Sequence, residues 1–206
     1  MRIQKYAVFF IAFLFPLLSC AATAAQQLAQ LLDAMHSLQA QFVQTVADGN
    51  GRVLQQTAGK MSLIRPGKFR WDTQSPAKQL LIADGRKIWL YDQDLQQVTV
   101  QKQQNFNPRS PAMLLNGSTK MLAHDFNVSF VKQGDPVIFK LAPKKASNLF
   151  QSVSLSFKNK QLQQMRMLDN LGQVTTIYFT QVRLNPPLPT GLFKFITPKG
   201  VDVVRE

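Results

Sequence analysis

Histidine is the side chain best suited to moving protons near neutral pH, and this chain has only two, His36 and His124, far apart and outside any metal or nucleophile motif. The eleven carboxylates fall mostly in turn-forming stretches, at Asp48, Asp84, Asp92, Asp94, Asp135 and Asp169, where aspartate serves the backbone. A hydrolase would have to draw on Asp92 or Asp94 with His124, but no pair suggests acid and base work. No G-x-S-x-G, H-E-x-x-H, phosphate-cradling or dinucleotide-binding glycine motif occurs. The chain therefore reads as a non-enzyme that needs no cofactor and no metal.

One charged side chain is placed where charge is unexpected. In Met61–Asp72, M-S-L-I-R-P-G-K-F-R-W-D, a period of two puts Met61, Leu63 and Arg65 on one face. After Pro66-Gly67, Phe69 and Trp71 continue that face, while Lys68, Arg70 and Asp72 point the other way. Proline and glycine at the centre suit a type II turn, which sets Arg65 near the rim of a sheet, within reach of backbone carbonyls. A cation directed at an apolar concavity is the candidate functional group.

The start of the chain reads as an address. Arg2 and Lys5 precede an apolar run from Ala7 to Leu18, too short to span a bilayer comfortably, and Ala22-Thr23-Ala24 fits a cleavage site. Residues 1–24 are expected to be an export signal and 25–206 one domain. Leu17-Leu18-Ser19-Cys20 offers a competing reading, a lipoprotein-processing box that would leave a lipidated Cys20. Under the first reading the mature chain has no cysteine, so neither a disulfide nor thiolate chemistry is available to it. Losing Arg2 and Lys5 takes the formal charge of +13 to +11, and the excess is scattered rather than gathered into a stripe, which argues against nucleic acid.

The elements that must position Arg65 follow from periodicity. Leu28, Leu31, Leu32, Met35 and Leu38 fall at helical spacing, predicting an amphipathic helix over Gln26–Leu38. Beyond it, about eleven short alternating segments are joined by turns, with Gln79–Ala83 and Lys87–Tyr91 flanking Asp84-Gly85, and a last pair predicted at Leu192–Ile196 and Val201–Val203. Residues 105–125 break the pattern. Ser110 as cap, Pro111 at the first helical position and Gly117 as stop predict a short, almost wholly apolar helix, with a second over Thr119–His124. Such a helix persists only when docked. The expected architecture is mainly β with helices: an antiparallel sheet curved into an incomplete barrel, its apolar concave face covered by the helical pieces. A fully packed core without a cavity fits the same pattern.

Ile64–Trp71, preceded by Phe42-Val43-Gln44 and followed by Asp84-Gly85-Arg86-Lys87-Ile88-Trp89-Leu90-Tyr91, resembles the periplasmic outer-membrane lipoprotein carrier family, LolA. Ser110–Leu115 and the tail Phe193–Asp202 are similar to it too. The resemblance implies an unclosed eleven-stranded barrel with a helical lid. It implies a periplasmic carrier, expected as a monomer, that takes acylated lipoproteins from an inner-membrane ABC transporter to an outer-membrane receptor lipoprotein. It makes Arg65 the lid latch, with Leu63, Phe69, Trp71, Trp89, Tyr91, Met113, Leu114 and Leu115 lining or covering the cavity. Ala112 departs from the family, where an aromatic often follows the proline. A membrane-anchored receptor or an envelope lipid sensor of the same fold is the alternative.

Overall fold

The computed structural model describes residues 22–103, 111–145 and 150–205. Most of the expected export signal lies outside these, as do the first part of the expected lid segment and its Ser110 cap. Helix α1 (Ala24–Asp33) opens on a capping box in which Thr23 and Gln26 each accept the other's backbone N–H. It ends five residues before the predicted Leu38. Asn185, far along the chain, intervenes: its Oδ1 accepts the His36 and Ser37 N–H groups at 2.8 and 3.2 Å, and its Nδ2 donates to the Ala34 carbonyl at 2.9 Å. These bonds turn the chain into β1 (Ser37–Ala47), so Leu38 is buried from a strand and not from the helix.

Strands β2 (Val53–Ile64), β3 (Lys68–Ser75), β4 (Gln79–Asp84), β5 (Lys87–Asp92) and β6 (Gln97–Lys102) continue an antiparallel meander. A 3₁₀ turn (Pro111–Asn116) stands where the first short helix was predicted, and α2 (Thr119–Asp125) matches the second. A second meander follows: β7 (Phe126–Lys132), β8 (Val137–Pro143), β9 (Phe150–Lys158), β10 (Gln161–Asp169) and β11 (Val174–Leu184). Asp48, Asp84, Asp92 and Asp169 each accept backbone N–H groups at the turns, the role their positions predict.

β1 pairs with β11, which fuses the two meanders into one twelve-stranded sheet, β12-β6-β5-β4-β3-β2-β1-β11-β10-β9-β8-β7. The edges, β12 (Asp202–Arg205) and β7, do not pair with each other, so the sheet stays open. Residues of both wings nevertheless share one apolar cluster with α1 and the lid pieces, which requires the sheet to curl around it. The predicted terminal hairpin is absent. Thr190–Phe193 is a 3₁₀ turn, and β12 adds parallel to β6 with Val203 opposite Val98. The alternating residues Phe193 and Phe195 pack as a flap on the outside of the sheet instead of forming a strand.

Candidate functional site

The concave wall beneath the lid is built from β1, β2 and β3. Register places Leu38 opposite Leu63, Met61 opposite Trp71 and Leu63 opposite Phe69, so all these side chains share the inner face. Leu63 and Phe69 are fully buried and Trp71 is 7% exposed. Phe42 stacks on Trp71 with ring centroids 3.7 Å apart. Gly59, opposite Phe42, allows this: a Cβ there would lie 2.9 Å from the Phe42 ring and 2.0 Å from the Asp72 carbonyl oxygen.

Arg65 stands at the end of that wall, on the β2–β3 turn. In the turn, Gly67 takes a positive φ of 90°, the conformation that a type II turn asks of its third residue. The Arg65 guanidinium donates from Nη1 to the Leu32 carbonyl and from Nη2 to the Gly117 carbonyl, the latter at 2.6 Å. One carbonyl belongs to the last turn of α1 and the other follows the 3₁₀ turn, so one side chain ties both lid pieces to the rim. The last helical carbonyls carry partial negative charge, a favourable partner for a cation. Burial pushes the Arg65 guanidinium below its ordinary pKa, and the nearby Asp33 carboxylate opposes this. Asp33 in turn accepts the Thr119 hydroxyl at 2.9 Å, linking α1 to α2.

A second tie runs beside the first. The Gly67 N–H donates to Asn116 Oδ1 at 3.1 Å, and the Gly67 carbonyl accepts Gln103 Nε2 at 3.0 Å. Gln103 Oε1 accepts the Gly85 N–H, so the β2–β3 and β4–β5 turns are braced together under the lid. The 3₁₀ turn crosses the bowl and touches both β3 and β10. Leu115 is buried at 1% exposure and Leu114 packs against the core. The side chain of Met113 lies outside what the structure describes. Between α1 and α2 the free space is about 10 Å³, the lower limit for one water. A larger groove of about 640 Å³ opens between α1 and the far wall, over Leu31, Met35, Phe157 and Leu162.

Two expected wall residues are elsewhere. Tyr91 pairs with Leu80 and Trp89 with Ile82, on the opposite parity from Leu81 and Ala83, which face the bowl. Trp89 and Tyr91 therefore lie on the convex face, where Phe195 packs against both, with ring centroids 6.3 and 5.7 Å away. Ile82, Val98 and Phe193 are buried there as well, a second core outside the bowl. The reason is that Lys87–Asp92 is apolar at both parities, and both faces of β4 and β5 are covered. Sequence reasoning also missed Asn116, Asn185 and Gln103; only an Asn-Pro-Pro turn signal at 185–187 pointed to any of them.

The other ionisable candidates do not assemble. His124 is exposed and pairs with Asp125 at 2.6 Å. Asp92 accepts from Gln79 and from the Asp94 and Leu95 backbone, which holds its carboxyl below the usual range. Among the described residues no cluster of His, Cys, Asp or Glu could hold a metal ion, and no helix is long and apolar enough to cross a membrane.

Arg65 thus joins two helical pieces over an apolar wall, and the comparison with known sequences gives the family in which this geometry stands. Residues 33–196 match the family described as outer membrane lipoprotein carrier protein LolA. The chain belongs to the LolA family. An outer-membrane lipoprotein carrier protein of Pseudomonas paraeruginosa is 43% identical over 185 residues, covering 90% of this chain and 89% of the relative. Another, from Legionella pneumophila, is 42% identical over 184 residues, 89% of this chain and 91% of the relative. The fold recurs at low identity. An uncharacterized conserved protein from Thermus thermophilus is 14% identical with a TM-score of 0.55, over 88% of this chain and all of that one. The Pseudomonas aeruginosa MucA/MucB complex contains a chain 17% identical with a TM-score of 0.50, over 82% of this chain and 60% of that one. LolA relatives are named as carriers, and carriage needs a binding surface and a gate rather than a covalent step.

Proposed function

We propose that this protein, a LolA-family carrier, works in the periplasm as a mature chain beginning near Ala25, a cleavage that takes Thr23 and its capping box away from α1. It receives acylated lipoproteins from an inner-membrane ABC transporter, shelters their acyl chains under the lid and yields them to an outer-membrane receptor. The observation that carries the reading is the double hydrogen bond from Arg65 to Leu32 and Gly117, which joins both lid pieces to the rim of an apolar wall. Leu32, Leu63, Phe69 and Leu115 are buried beneath the joined lid pieces, which supports reading this conformation as the closed one.

Magnitudes explain the need for a latch. Each methylene taken from water gains about 0.8 kcal/mol, so three long chains could gain tens of kcal/mol, far too much for release. A closed, empty form that competes with cargo lowers this. Hydrogen bonds from a charged group contribute about 1.5–3 kcal/mol each, enough to bias the equilibrium without freezing it. Arg65→Leu is accordingly expected to load lipoprotein but to hand it over poorly, measured as transfer from purified carrier to purified receptor. Normal transfer by that variant would remove Arg65 from the mechanism.

The Cys20 sequence favours a second reading, an anchored receptor or lipid sensor of this fold. Mass spectrometry of the mature N-terminus decides between them. A chain starting at Ala25 is expected, and a diacylated Cys20 would replace the soluble carrier with the anchored receptor.

A further inference from the structure

Among the described residues one buried side-chain nitrogen or oxygen has no hydrogen-bond partner, and it is Asn116 Nδ2. Asn116 is 4% exposed, and its amide orientation is fixed because Oδ1 accepts the Gly67 N–H. The unpaired group is therefore a donor. Native proteins keep few buried donors without an acceptor, because the lost hydration is not replaced. The position narrows the reason. Asn116 ends the 3₁₀ turn of the lid at the rim, between buried Leu115 and Gly117, whose carbonyl takes the Arg65 bond.

We propose that Asn116 Nδ2 donates to the carbonyl oxygen of an acyl ester at the head of a chain lodged in the bowl, a proposal that rests on the carrier reading. An ester accepts hydrogen bonds and donates none, so it matches a site whose free group is a donor. Drawn out of water beside apolar walls, an ester carbonyl without a donor is penalised. The methylenes lie along Leu63, Phe69 and Trp71, and the carbonyl stays at the rim, where Asn116 is. In the closed form the two Arg65 nitrogens are held by the Leu32 and Gly117 carbonyls, whereas the Asn116 donor is already free.

The test uses the full mature chain and two lipids that differ in the carbonyl, monopalmitoylglycerol and its ether counterpart hexadecylglycerol, each displacing the apolar dye N-phenylnaphthylamine. The wild-type chain is expected to prefer the ester by about five- to tenfold. Asn116→Leu brings the ratio to about one, and the ratio cancels any change in lid opening. Asn116→Asp keeps an acceptor for Gly67 while losing the donor, so it gives the same collapse if the leucine variant folds poorly. In the wild-type chain the Asn116 side-chain amide resonance moves on adding the ester and not the ether. No preference in the wild type, or a preference that survives both substitutions, overturns the proposal and leaves the carrier reading intact. If neither lipid displaces the dye, the carrier reading fails and takes the proposal with it.

Discussion

Sequence pattern and structure both set Arg65 at the rim of the apolar wall, and if it latches the lid as proposed, its chemistry sets what the lid responds to. Burial lowers its pKa, which is the unfavourable direction for a cation: the fold gains stability as pH rises through the folded value. The group is a guanidinium, whose ordinary value lies far above neutrality, so it stays charged at neutral pH. Dye uptake should therefore be flat between about pH 6 and 9, where a histidine latch would switch. Replacing Arg65 separates charge from geometry. Arg65→Lys keeps the cation but not the planar fork that meets two carbonyls, and should raise dye affinity by about three- to fivefold. Arg65→Leu removes both bonds and should raise it by about a hundredfold, as expected when a closed state no longer competes. Equal affinities for all three chains in a dye titration would show that the two bonds do not hold the lid shut. Asp92 titrates with the opposite sign. Its lowered value gives a small contribution present above the usual carboxylate range and lost as pH falls through the folded value, and Gln79→Leu should raise that value in an NMR titration.

The elements were legible where one face is buried and the other wet. β3 and β9 alternate plainly, the turns of both meanders carry the expected aspartates and glycines, and the inward parity of Met61, Leu63, Phe69 and Trp71 follows from period two alone. Legibility failed where burial comes from both sides or from distant chain. The stripe Leu28 to Leu38 reads as one helix because both α1 and β1 face the same core, and the break between them is imposed by Asn185, which is remote in sequence. The family resemblance places Trp89 and Tyr91 at the bowl, and nothing local in the sequence shows that the C-terminal flap covers the other face. The Asn185 joint makes a prediction at this scale. Asn185 holds a positive φ of 54° and makes three hydrogen bonds to residues 34, 36 and 37. Asn185→Gly keeps the backbone conformation and removes the bonds, and should cost about 1–3 kcal/mol in urea unfolding. Amide exchange over Gln30–Ser37 should quicken at the same time. Unchanged exchange there would mean that α1 ends for reasons of its own.

The whole molecule carries two apolar cores on the two sides of one sheet, and their separation divides stability from gating. The inner core is shared with α1 and the lid pieces; if the lid opens for cargo as proposed, part of this burial is lost each time. The outer core, Ile82, Tyr91, Val98 and Phe193, is buried apart from the inner cluster that α1 and the lid residues join. Arg70, on the convex parity, reaches across to the Leu192 carbonyl at 3.4 Å and to Asp72 at 3.0 Å, pinning the flap to β3. An open sheet needs such a brace, since β12 and β7 do not close the ring and the concave side cannot be relied on throughout a transport cycle. Phe193 is 1% exposed at the centre of the flap, so Phe193→Ala should cost about 3–5 kcal/mol in urea unfolding, the usual penalty for emptying a buried aromatic site. Below the unfolding transition it should leave dye affinity within about twofold of wild type. Arg65→Leu should show the converse, a large change in dye affinity with a much smaller change in stability. Because the two sites share no partner, the double variant should behave as the sum of the two in both measurements. A Phe193→Ala chain that also takes up dye several-fold more tightly would show that the outer flap controls the lid through the sheet, and the two-core division would then be wrong.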